Sequence, residues 1–95
     1  MERIGLAFRS MLTPEDIRDI YIAPLRKALK KAKAGIYSNY LRQVDPDEQA
    51  PNDHLVIFEV NDFKEGLRLL RMQLEELDLI EGVEFQNLNP SSPGY

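Results

Sequence analysis

Residues 54–60, His54-Leu55-Val56-Ile57-Phe58-Glu59-Val60, carry apolar side chains on both parities. Successive side chains of a strand point to opposite faces, so a half-solvated strand would show a polar residue at every second place. A run apolar on both sides belongs in the middle of a sheet. Directly after it the period changes. Phe63, Leu67, Leu70, Leu74 and Leu77 recur at spacings of four and three, the stripe of an amphipathic helix. Asp62 can cap that helix, with Glu65 three places later in a capping-box arrangement, and Gly82 is its expected limit. A coiled-coil role for the stripe is disfavoured, because it lasts only two heptads.

The remaining segments follow the same two periods. Ile4, Leu6 and Phe8 alternate with Arg3, Gly5, Ala7 and Arg9, which predicts a half-buried strand over 3–9. Thr13-Pro14-Glu15-Asp16 reads as a helix start: a hydroxyl cap, a proline at the first position and two acids at the positive helix end. Ile17, Ile20 and Tyr21 supply its stripe, continued by Leu25, Ala28, Leu29 and Ala32. Pro24 removes a donor and clashes with the carbonyl four residues earlier, so a kink near 21–23 or a fresh helix from Pro24 is expected. Gly35 is the expected end. Residues 36–44 are rich in strand formers, but both parities hold apolar residues and the faces stay ambiguous. Residues 45–53 form an acidic loop with two prolines, and 83–88 alternate as a last strand.

The order strand, helix, strand, strand, helix, strand is that of a ferredoxin-like βαββαβ α/β plait, an α+β fold. Right-handed crossovers would place both helices on one face of a four-stranded antiparallel sheet of order 4-1-3-2. The expected core is Ile4, Leu6, Phe8, Val56, Phe58, Val60, Val83 and Phe85 against the helix stripes. One domain over 1–88 is expected, followed by a flexible C-terminal tail over 89–95. In element order, and in the run Val60-Asn61-Asp62…Gly66-Leu67…Leu70-Arg71…Leu74…Leu77, the chain resembles small single-domain plait proteins of unknown function. The resemblance is one of architecture and implies no catalytic residue, because this fold carries many unrelated activities.

Composition narrows the chemistry. The 95 residues contain no cysteine, which excludes disulfides, thiolate metal sites and thiol nucleophiles, and a single histidine. No apolar run approaches the roughly 20 residues of a membrane span, and the first residues lack the long apolar stretch of a signal peptide. A soluble, cytoplasmic protein is expected, with no membrane partner. The net charge of −4 argues against a general nucleic-acid binder, yet it hides a split. Residues 1–44 hold nine Lys/Arg against four Asp/Glu, and residues 45–95 hold three against twelve. Solvated faces explain such a split most simply.

His54 beside Asp53 could serve acid–base chemistry, but no nucleophile motif accompanies it, and a surface or loop-anchoring histidine is the default. Asp45, Asp47, Glu48 and Asp53 lack the spacing of a calcium loop, so no metal is expected. Arg26, Lys27, Lys30, Lys31 and Lys33 complement the negative end of the first helix. The strands lack the aromatic pattern of RNA-binding plaits, and no phosphate-cradling glycine loop is present, so neither nucleic acid nor a cofactor is expected. No catalytic residue is assigned.

The sheet's open face is the most informative surface. The parities place Gly5, Ala7, Leu55 and Ile57 there, with Leu88, Tyr37 and Leu41 as further candidates, rimmed by Arg3, Arg9, Glu59 and Glu84. Apolar patches rimmed by charge mark interfaces or ligand sites. The leading expectation is a non-enzymatic interaction or regulatory protein that forms a homodimer, or binds another protein, through Ala7, Tyr37, Leu41, Leu55, Ile57 and Leu88. The alternative is a small-ligand-binding protein or small enzyme. Its pocket would lie near His54 and Glu59, with Arg9, Tyr37, Tyr40 or Arg42 supplying further polar groups.

Overall fold

The structure, a computed structural model, describes residues 1–89. Its elements are β1 (Glu2–Ser10), α1 (Pro14–Ile17), a π-helical segment (Arg18–Ile22), α2 (Ala23–Lys31), β2 (Gly35–Gln43), β3 (Asn52–Val60), α3 (Phe63–Glu76) and β4 (Glu84–Asn87). The four strands form one antiparallel sheet of order β2-β3-β1-β4, which reads 4-1-3-2 from the other edge. Of the tail expected over 89–95, only Asn89 is among the described residues; its side-chain oxygen accepts from the Arg3 N–H at 2.7 Å.

One face of the sheet carries the core. Ile4, Leu6, Val56, Phe58 and Val60 are fully buried there, in one cluster with Ile17, Leu25, Leu29, Leu70 and Leu74 of the helices. Val83 and Phe85, expected in the core, are partly buried at its border. Thr13 and Asp16 make the reciprocal capping box that opens α1. At α3 only half of that motif forms. Asp62 accepts from the Glu65 N–H at 2.9 Å, while the Glu65 carboxylate turns to Arg68 instead.

Three local features depart from simple periodicity. Arg18–Ile22 is π-helical, with the Ala23 N–H bonded to the Arg18 carbonyl. The wider turn ends just before Pro24, which cannot donate and would crowd the carbonyl of Ile20 in a regular helix. The extra residue rotates the stripe, so Ile22 is buried beside Tyr21 and the expected core residue Ile20 is 40% exposed. In β2 the register passes from Tyr37↔Phe58 to Asn39↔Ile57, so Ser38 is an extra residue in a β-bulge. Finally, α2 stops short of Gly35, its expected end, while α3 stops within its expected limit at Gly82. Lys33 (φ 55°) and Asp78 (φ 60°) adopt the left-handed conformation, and the next N–H of each reaches back to Leu29 and Leu74.

Candidate functional site

The open face of the sheet is built from two contrasting columns. On β1 the outward residues are Arg3, Gly5, Ala7 and Arg9, and their cross-strand partners on β3 are Glu59, Ile57, Leu55 and Asp53. The β1 column is therefore basic, small, small, basic. The β3 column is acidic, large, large, acidic. Leu41 pairs with Leu55 from the β2 edge and is 51% exposed. From the β4 side Leu88 leans over Gly5. A Cβ built at Gly5 would stand 2.7 Å from the Leu88 Cδ1 and 3.0 Å from the Leu55 Cδ1, so only glycine lets these two side chains close in.

A shallow concavity of about 670 Å³ lies over this face, floored by Ala7 and walled by Leu41, Leu55, Glu84 and Gln86. Ion pairs mark both ends of the central strands. Arg3 lies 3.7 Å from Glu59, which also accepts from the Ser38 hydroxyl at 3.2 Å. Arg9 lies 3.2 Å from Asp53 and 3.4 Å from Asp45, and donates to the Pro51 carbonyl. Of the residues singled out in the sequence, Ala7, Leu41, Leu55, Ile57 and Leu88 come together on this face. Tyr37 does not. The bulge at Ser38 keeps Tyr37 and Tyr40 on the same, helix-covered side, and Tyr37 packs edge-on against Phe58 at 6.0 Å between centroids.

His54 lies on the opposite face and is 2% exposed, not at the surface. It continues the inward parity of Val56, Phe58 and Val60, a signal already present in the strand run 54–60. Its Nε2 donates to the Ser10 carbonyl at 3.1 Å, because that carbonyl can only accept. In the neutral ring Nδ1 then accepts from the Tyr40 hydroxyl at 2.7 Å. The ring is third in a row of four nearly parallel rings, Tyr21, Phe8, His54 and Tyr40; Phe8 and Tyr21 stack at 4.4 Å between centroids. Burial pushes the Tyr21 and Tyr40 phenols up from their usual range; at Tyr40 the Arg42 charge pulls weakly the other way.

The groups of the expected ligand pocket are thus divided. His54 and Tyr40 form a buried pair on the helix side, Arg42 is exposed opposite His54 in register, and Glu59 and Arg9 serve ion pairs on the open face. Among the described residues no group of three or more His, Asp or Glu side chains is arranged to hold a metal ion. In the acidic loop, Asp45 and Asp47 accept from the backbone N–H groups of Asp47 and Gln49. Among the described residues no helix is long and apolar enough to cross a membrane. No protein-family model matches the chain, and no curated protein matches it in sequence.

Proposed function

We propose that this protein is a ferredoxin-like α/β plait acting as a non-enzymatic interaction or regulatory module, and that it forms a homodimer through the open face of its sheet. The observation that carries this reading is the apolar strip of Leu41, Leu55, Ile57 and Leu88 over Gly5 and Ala7, on the face the helices leave bare. The face is small: three nine-residue strands and one of four, about 4.8 Å apart at about 3.3 Å per residue, cover a plane of roughly 490 Å², below the roughly 800 Å² each partner contributes to a standard interface and in the range of the smaller, weaker ones. The single histidine, with both ring nitrogens engaged in the core, also favours a binding role over acid–base chemistry.

Light scattering at micromolar concentration tests the reading. The wild type is expected to be a dimer, and Leu55→Asp with Ile57→Asp to give a folded monomer. A monomeric wild type, or a double variant of unchanged mass, would refute it. A second reading rests on the concavity over Ala7, whose volume lies within the roughly 300–1,000 Å³ common for small-ligand sites. It predicts a monomer whose melting temperature rises with one class of metabolite. Arg9, Glu84 and Gln86 would supply the polar contacts.

A further inference from the structure

We infer that the two-fold axis of the dimer runs parallel to the strands, between β1 and β3, so that β1 of one protomer lies over β3 of its partner. This rests on the open-face dimer proposed above and specifies its geometry. In the aligned class of sheet packing, a two-fold axis relating two sheets face to face runs close to the strand direction or close to the perpendicular. Along the strands, each residue keeps its height and β1 exchanges places with β3. Across them, β1 lies over β1 and β3 over β3, with their ends reversed.

Charge and shape select the same solution. With the axis along the strands, the partner's Leu55 meets the floor at Ala7, where the concavity is open. Arg9 of each protomer faces Asp53 of the other, and Arg3 faces Glu59. The Arg3 end then holds four charges of alternating sign, built on the pairs each protomer already makes; at the Arg9 end Asp45 of each protomer adds a further acid beside Arg9. Ile36, 54% exposed at the height of Arg3, covers the partner's Leu88, which bonds Arg3 from the β4 side. With the axis across the strands, Arg3 would face Arg9 and Glu59 would face Asp53. Ile57 would press on Leu55 while the hollow at Ala7 was left unfilled opposite Gly5, which Leu88 already covers.

The two geometries respond oppositely to a single charge reversal. With the axis along the strands, Arg9→Glu sets acid against Asp53, and Asp53→Lys sets base against Arg9. Each variant repels its own copy, whereas a mixture of the two is complementary. Sedimentation velocity in low salt would compare the wild type, each variant and an equimolar mixture. Each variant alone is expected to dimerise at least tenfold more weakly than the wild type, and the mixture to regain association. If each variant alone dimerises as tightly as the wild type or more tightly, the axis is wrong while the open-face dimer stands. If the wild type is monomeric, the dimer itself fails, and the axis with it. Arg9 also anchors Asp45 and Pro51, so circular dichroism should check folding. Arg3→Glu with Glu59→Lys repeats the test at the other end of the sheet.

Discussion

At position 54 a polar ring occupies a place where inward parity would otherwise seat an aliphatic side chain. Its two hydrogen bonds tie β3 to Tyr40 of β2 and to the end of β1. Tyr40→Phe keeps the ring packing but strands a buried nitrogen, and should lower stability at pH 7 by about 1–2 kcal/mol. The pH dependence has a definite sign. Burial raises the Tyr21 and Tyr40 pKa values in the folded state, so it holds these protons longer than the unfolded chain. The contribution is full below the unfolded value of about 10 and is lost as pH rises through the raised folded values. Urea midpoints measured from pH 7 to 11 should fall above pH 10, less steeply in Tyr40→Phe; an equal slope would refute the assignment. Gly66 poses a contest between two effects. Alanine is the better helix former by about 1 kcal/mol. Its Cβ, however, would stand 2.6 Å from the Val60 Cγ1 and 2.7 Å from its Cβ, an overlap typically costing about 1–3 kcal/mol. Gly66→Ala should therefore destabilise in equilibrium unfolding, and a stabilised variant would show that the helix can lift off the sheet freely.

Among the elements, β1, β3, β4 and α3 were legible because each follows one period along its length. What escaped were the places where a single residue breaks the count. The ambiguous parity of 36–44 has its cause in Ser38: one extra residue puts Tyr37 and Tyr40, three apart, on the same side. Pro24 marked its helix for irregularity, but not the π-helical form that exposes Ile20 and buries Ile22. Of the open-face residues, those on the regular strands β1 and β3 were readable from alternation, while Tyr37 was lost to the bulge. The residues that close the helices escaped for another reason, since composition pointed to Gly35 as an end and gave Gly82 only as a limit. The left-handed conformation is taken instead by Lys33 and Asp78, with Gly35 already in β2. A left-handed side-chain residue costs roughly 1–2 kcal/mol, part of which glycine returns as chain entropy in the unfolded state. Lys33→Gly should accordingly stabilise by about 0.5–1 kcal/mol, seen as a higher urea midpoint with an unchanged slope. Asp78→Gly should gain less, because aspartate tolerates this conformation better.

For the whole molecule, the charge split of the sequence does not become two lobes. β1, from the basic half, lies between β3 and β4, from the acidic half. The lysines of α2 take part in no ion pair among the described residues. An association between that basic end and the acidic surface of another copy, around Asp45–Asp53 or Glu75–Glu81, would be governed by salt. The screening length falls from about 10 Å at 0.1 M to about 3 Å at 1 M. The open-face dimer answers differently. Exposed ion pairs contribute only about 0–1 kcal/mol each, so the pairs at Arg3 and Arg9 orient the partner while Leu55, Ile57, Ile36 and Leu88 supply the affinity. Sodium chloride at 1 M should weaken that dimer only modestly and blunt the difference between Arg9→Glu and the wild type. Sulfate, which strengthens apolar burial, should tighten it. Sedimentation equilibrium in the two salts separates these cases: a dimer that dissociates in 1 M sodium chloride would place the contact at the lysine end of α2, away from the sheet.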